Sequence, residues 1–387
     1  MSLFTRRSAR WADHEYRAEI AAVFRAACIG AGVAQLVDGP VAGTTHRAPE
    51  VTHIGLGGPS LRLTVRMLPG QEPAQLARVG RLIAPHLGGL ALRVTDRGHG
   101  WALVDVLTAD PLAGVVPLVL PRPDRRVLIG RTENGAALAQ DWRAGAHTIC
   151  QGVTRSGKSV WTYGLLAQLA DHPDVLIAGC DPTGLLWRPF ADSRHARWQV
   201  CGVGDPARHQ HLLTRLCTEM DQRIAALPVD ADTLTVTRAT PLLLVVLEEY
   251  PALLRVVDSA DKDLGKSIRA QVGRLLAEGA KVGVRVVILA QRAEAAVIGA
   301  FERAMCSWRL SFRTDNRASV ELLHPGADPG VADAHTTAEP GIALVTMPGR
   351  PLTRVRDPYL GGYREYVAAV GAALERADPA GEGGSAA

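Results

Sequence analysis

The residues Gly152-Val153-Thr154-Arg155-Ser156-Gly157-Lys158-Ser159 constrain this chain more than any other stretch. The apolar Thr148-Ile149-Cys150 precedes them and Val160-Trp161-Thr162-Tyr163 follows, so the order reads strand, glycine-bearing loop, helix. Glycines let a backbone curl until several N–H groups face inward, and the start of a helix adds the positive end of its dipole. That cradle fits a triphosphate, and the spacing G-x-x-x-x-G-K-[ST] is the phosphate-binding loop in its required setting. Lys158 is expected to reach the β- and γ-phosphates and the Ser159 hydroxyl to ligate Mg²⁺, with Gly152 to Val160 as the nucleotide-binding set. Lysine occurs only at Lys158, Lys262, Lys266 and Lys281, so composition alone does not supply one at this place.

The rest of the chain divides by pattern. Residues 1–47 read as an N-terminal helical segment, in which Arg6, Arg7 and Arg10 precede a helix from about Ala12 to Ala31. Residues 48–110 read as a small α/β domain: strand Leu61–Met67, a helix opened by Pro73, then strands at Leu90–Val94 and Trp101–Leu107. The Pro- and Arg-rich 111–126 reads as a linker. From 127 to 360, buried apolar strands alternate with helices, which predicts a mostly parallel sheet covered on both faces, a RecA-like P-loop domain. Residues 361–387 read as a short helix and a disordered tail.

Composition excludes several classes. Six scattered cysteines with no C-x-x-C pair argue against a zinc site or a disulfide scaffold and for a reducing, cytoplasmic setting. A net charge of +4 does not by itself announce nucleic acid. The longest apolar run, Leu242 to Leu247, is strand-sized, so no segment is expected to cross a membrane, and Met1 to Arg10 lacks the apolar core of a signal peptide.

In sheets of this kind ligands sit at the carboxyl ends of the strands. Six apolar residues place Glu248-Glu249 at such an end. The first acid is expected to hold Mg²⁺ through water and the second to orient or deprotonate an attacking water. Gln291, after Val284–Ala290, fits a γ-phosphate sensor or a plain polar strand end. Asp181 fits either a site role or a helix N-cap. Arg309 and Arg317, on and just beyond the alternating Trp308–Arg313, fit an arginine finger aimed at a neighbouring subunit's phosphate, or an exposed strand face.

The order of these motifs resembles the FtsK/SpoIIIE family of DNA-pumping ATPases. Gly152 to Ser159 is similar to the family's Walker loop and Asp181-Pro182-Thr183 to its D-P-K. Glu248-Glu249-Tyr250 is similar to D-E-F/Y, Leu289 to Ala293 to A-T-Q-R-P, and Trp308 to Phe312 to T-R-I-A-F. Three positions depart: Glu248 stands for Asp, Thr183 for Lys and Ala293 for Pro. The compact, Arg-rich form with Glu-Glu-Tyr most resembles the transfer (Tra) proteins of actinobacterial conjugative plasmids and integrative elements. The resemblance implies ATP and Mg²⁺ as cofactors, double-stranded DNA as partner and a homo-hexameric ring. It also implies pore loops near Arg292 to Arg303 and a separate protein as membrane anchor. No room is seen after Tyr359 for the family's DNA-reading winged helix. Two other readings stand beside it: a type VII-like protein-export ATPase, and a nucleotide-binding assembly protein that has lost hydrolysis.

Overall fold

The computed structural model describes residues 3–39, 43–55, 61–122, 125–293 and 298–377. The chain falls into two compact units, Met1–Gly114 with Thr132–Ala136, and Val115–Arg131 with Ala137–Ala387.

The first unit begins with helix α1 (Leu3–Gly30), longer than the spacing of apolar residues predicts. Side chains of its first turns, including Arg6, Arg7 and Arg10, lie outside the described residues. A hairpin of β1 (Gln35–Gly39) and β2 (Gly43–Arg47) follows inside the segment read as helical. The small domain is a four-stranded antiparallel sheet of β3 (Glu50–Gly55), β4 (Leu61–Arg66), β5 (Ala91–Gly98) and β6 (Trp101–Leu107), in the order β3-β4-β6-β5. Strand β3 is one more than the sequence suggests. Its Glu-Val-Thr-His is too polar to read as a strand, and edge position lets it stay so. The helix expected after Pro73 is α2 (Pro73–Arg78), which breaks at Val79 before α3 (Gly80–Ile83). Gly80 opens α3 close against β5, where a side chain would press on Leu92.

The second unit carries a ten-stranded sheet. Its strands are β8 (Val127–Thr132), β9 (Ala137–Gln140), β10 (Thr148–Gln151), β11 (Val175–Asp181), β12 (Gln199–Cys201), β13 (Leu242–Leu247), β14 (Val284–Ala290), β15 (Trp308–Phe312), β16 (Ile342–Thr346) and β17 (Thr353–Arg356). The order is β12-β11-β13-β14-β10-β15-β16-β17-β8-β9, parallel from β12 to β15 and antiparallel where β16 joins β15 and β17. The stretch read as a linker is not free of structure: β7 (Val116–Pro117) pairs in parallel with β18 (Pro358–Tyr359).

Alternation within the central strands sorts the core. Leu242, Leu244 and Val246 of β13 pack in one hydrophobic cluster with α4 (Lys158–Leu169) and α11 (Tyr363–Ala377). Leu243, Val245 and Leu247 pack in the other, with α5 (Pro206–Ala225), α6 (Tyr250–Ala260) and α7 (Lys262–Glu278). A strand buried on both faces has no polar side to offer, hence the unbroken apolar run. Asp261 caps α7 by accepting from Asp263 N and Leu264 N at 2.8 and 3.1 Å. Short helices α8 (Ala300–Met305), α9 (Arg317–Leu323) and α10 (Pro329–His335) complete the unit. The expected disordered tail falls outside the described residues beyond Ala377. Among the described residues no helix is long and apolar enough to cross a membrane.

Candidate active site

The phosphate loop is braced by the strand ends on either side of β10. Gly152 N–H donates to the Ala290 carbonyl (3.2 Å) at the tip of β14, and Val153 N–H to the Arg313 carbonyl (3.0 Å) beyond β15. Ser156 N–H closes a turn onto Val153 O (3.1 Å), and Gly341 N–H donates to Ser156 O (2.8 Å). Two residues hold the backbone in the left-handed region, Arg155 at φ 61° and Gly157 at φ 118°. Glycine is required at 157, because a Cβ there would lie 2.8 Å from the Gly341 nitrogen. Gly157→Ala should therefore displace the loop and weaken nucleotide binding by roughly 5- to 150-fold, from about 1–3 kcal/mol of backbone strain. Unchanged affinity in a fluorescent-nucleotide titration would contradict this.

Helix α4 makes its first backbone bond from Trp161 N to Gly157 O. The amides of Lys158, Ser159 and Val160 consequently have no acceptor within the helix and are available to an anion. Ser159 is exposed at this helix start, beside the loop residues Thr154 and Arg155, which are exposed too. Ser156 Oγ is buried without a partner, a hydroxyl with unused bonding capacity inside the cradle.

Lys158, nearly buried, extends its ammonium to the end of β13. Nζ lies 2.5 Å from Glu249 Oε1 and 3.8 Å from Glu248 Oε1. Burial alone would depress the lysine pKa, but the two carboxylates outweigh it and hold it above its usual value. Glu248 is pushed up to about 7, chiefly by burial and further by Glu249 and Asp181, against the pull of Lys158. Its Oε2 has no partner. Glu249 stands in the left-handed region (φ 42°, ψ 47°) as the residue before α6, yet its side chain caps nothing and turns to Lys158 instead. Strain of this kind in a non-glycine residue concentrates at functional sites.

The other expected site residues separate. Gln291 is the first residue after β14, exposed and adjoining the Ala290 carbonyl that holds Gly152. Arg292 is ion-paired with Asp315. Part of the pore-loop segment, 294–297, lies outside the described residues. Asp181 is fully buried and accepts from Thr183 N (2.8 Å), Thr183 Oγ1 (2.8 Å) and Leu186 N (2.7 Å), so its role is to cap a turn. Arg309 departs from the expectation of a finger. Its guanidinium donates to the carbonyls of Cys306 (3.0 Å), Leu323 (3.1 Å) and Arg303 (2.8 Å), which ties α8 and α9 of its own chain together. Arg317 is exposed at the first turn of α9, paired with Glu321 at 2.5 Å and Asp333 at 3.8 Å. Surface pairs of this type are weak and exchange readily.

Whether Mg²⁺ fits can be judged from the donors. No group of three or more His, Cys, Asp or Glu side chains forms a metal cage among the described residues. Mg²⁺ in nucleotide sites needs none, since phosphate oxygens and water fill most of its shell. Ser159 at the helix start and the unpartnered Glu248 Oε2 are the donors such an ion requires, so the residues fit.

Two sets of buried groups set the pH response. Burial lowers His147 and His195 to about 4 and His324 to about 3. A depressed histidine adds stability above its usual 6.5 that is lost as pH falls toward the folded value. Glu248 and Asp357, both raised to about 7, do the opposite: their contribution is lost as pH rises through 7. The melting temperature should peak between about pH 6 and 7 and level off above that, with Glu248→Gln reducing the loss that accumulates as pH rises to 7. A melting temperature still climbing at pH 8 is the contrary result.

A glycine-bearing loop between a parallel strand and a helix, with β14 separating the loop strand from the strand of the acids, defines a P-loop NTPase. No family model matches the chain. Among curated proteins it is 24% identical to the transfer protein TraSA of Streptomyces ambofaciens, over 81% of this chain and 79% of that one. It is also 24% identical to the DNA translocase FtsK of Treponema pallidum, over 63% of this chain but only 31% of the relative, so it spans less than a third of that protein. Two solved structures share the fold. The conjugation coupling protein TcpA of pCW3 with ATPγS has a TM-score of 0.53 at 14% identity, covering 90% of this chain and 99% of that one. The cytoplasmic domain of the type VII secretion ATPase EccC of Thermomonospora curvata has a TM-score of 0.50 at 24% identity, covering 68% and 32%. The chain is thus similar to curated proteins named as a transfer protein and as the DNA translocases FtsK and SpoIIIE.

Proposed function

We propose that this protein is an ATPase that moves double-stranded DNA during conjugative transfer, working as a ring of identical subunits. The observation that carries the chemistry is Lys158 bridged to Glu249 across the ends of β10 and β13. In this pairing the phosphate-binding cation and the candidate base occupy one another. ATP binding gives Lys158 phosphate oxygens to hold and releases Glu249. The freed carboxylate accepts the proton of an attacking water, whose oxygen forms the bond to the γ-phosphorus as the bond to ADP breaks. Mg²⁺, when bound, neutralises phosphate charge, and Ser159 with Glu248, the latter through water, is the pair that would hold it. Gln291, at the end of the strand beside the phosphate loop, senses the γ-phosphate in this reading. Of the two arginine candidates Arg317 is the finger, since the head of Arg309 is spent within its own chain.

DNA as cargo is supported by the relatives named as a transfer protein and a DNA translocase. Protein export is supported by a fold likeness alone. Contacts to phosphate make binding salt-sensitive and weakly dependent on sequence. A separate membrane-anchored partner would place the ring at the envelope. The test is ATP hydrolysis with and without duplex DNA at low and moderate salt. Stimulation that fades with salt is expected; hydrolysis indifferent to duplex, with recovery of small secreted helical proteins in a pull-down, points to export. Bound but uncleaved nucleotide under saturating Mg²⁺ and DNA points to an assembly protein.

A further inference from the structure

Gln151 ends β10, one residue before the phosphate loop, and is fully buried. Its carboxamide joins three separate segments. Oε1 accepts from the Ala293 N–H at 3.0 Å. Nε2 donates to Ser311 Oγ on β15 at 2.7 Å and to the Ser319 carbonyl in the first turn of α9 at 2.8 Å. These partners also fix which end of the amide is which, because an N–H must meet the oxygen and a carbonyl must meet the nitrogen.

The network continues behind it. Ser311 Oγ, already accepting from Gln151, lies 2.8 Å from His324 Nε2, and His324 Nδ1 lies 2.7 Å from Thr346 Oγ1, both hydrogen bonds whose direction the ring tautomer sets. Burial keeps the His324 ring neutral, so one ring nitrogen donates and the other accepts. Gln151, Ser311 and His324 thus each have hydrogen-bond partners in the interior, which fixes the heavy-atom positions of the network.

Two of Gln151's partners flank residues with expected roles at the phosphate. Ala293 is two residues after Gln291, and Ser319 is two residues after Arg317. We infer that Gln151 is a positioning residue, which couples the phosphate loop to the strand end bearing Gln291 and to the helix start bearing Arg317. The inference rests on the ATPase reading above. Movement of the loop around a nucleotide is passed through one rigid amide to a group that acts in its own site and to a group that acts in a neighbour's. Hydrophobic packing could hold β10 equally well, but it would leave the Ala293 N–H and Ser319 carbonyl without this partner.

The test uses the full chain as wild type, Gln151→Met and Thr346→Val. Methionine keeps the length and volume while removing the donors and the acceptor. Valine cuts the far end of the same network and leaves the bonds of Gln151 alone. ATPγS·Mg²⁺ binding, ATP turnover, melting temperature and amide exchange across 287–293 and 317–323 are measured for each. Gln151→Met should bind ATPγS within about 3-fold of wild type while kcat falls about 10-fold or more. The protection that ATPγS confers on 287–293 and 317–323 in wild type should be lost in it and retained in Thr346→Val. Turnover that tracks melting temperature equally in both variants, or unaltered protection in Gln151→Met, overturns the inference. A wild type that binds ATPγS without turning over ATP overturns the ATPase reading instead, and the exchange comparison still decides the role of Gln151.

Discussion

Lys158→Ala should abolish ATP turnover, with a loss of at least about 10²–10³-fold from removal of one preorganised cationic donor. The same substitution should also change stability in a pH-dependent way. With the ammonium gone, Glu248 and Glu249 face each other at the end of β13, and Glu248 loses the strongest influence holding its pKa down. Without that pull, Glu248 should hold its proton to higher pH than it does in wild type. An uncompensated charge in a closed interior costs about 3–5 kcal/mol, and the partial exposure of these acids (14% and 21%) puts the loss below that. The deficit in melting temperature relative to wild type should be larger at pH 8 than at pH 6, where Glu248 holds its proton. Equal deficits at both pH values would show that the acids do not feel the lysine, contrary to the 2.5 Å contact.

Much of the site was legible because its signals are local. Six apolar residues followed by two acids read as a buried strand delivering carboxylates to its end, and β13 has that form. Gly152 to Ser159 carries its own strand and helix. Arg309 was not legible, because what it binds are backbone carbonyls at 303, 306 and 323, and a carbonyl has no sequence signature. Gln151 was hidden for the same reason: two of its three partners are main-chain groups more than a hundred residues away. A glutamine between Cys150 and Gly152 in a buried strand was the available signal, since a polar group there must find partners. The bracing of the loop by Gly341 and Arg313 likewise depends on which strands neighbour β10, a property of topology. In the first unit, β3 was missed because edge strands tolerate polar residues.

Glu249→Gln should separate binding from hydrolysis. Glutamine keeps the length of the side chain and tolerates the left-handed backbone as well as glutamate does, so the loop and β13 should stay in place. It cannot take a proton from water, so turnover should fall about 10²–10⁴-fold. Affinity for ATP should rise, because nucleotide no longer has to displace Lys158 from an ionised partner. A hydrogen bond to a charged group is worth about 1.5–3 kcal/mol, which corresponds to ~10-fold or more in Kd. Glu248→Gln should behave differently: binding of nucleotide without metal is kept, and the Mg²⁺ needed for half-maximal turnover rises, as the proposed role of that acid in holding the ion through water requires. Fluorescent-nucleotide titrations and phosphate release with graded Mg²⁺ distinguish the two. Were Glu249→Gln to hydrolyse near the wild-type rate while Glu248→Gln does not, the roles of the two acids would be exchanged, and the 2.5 Å contact would mark a resting ion pair with no part in proton transfer.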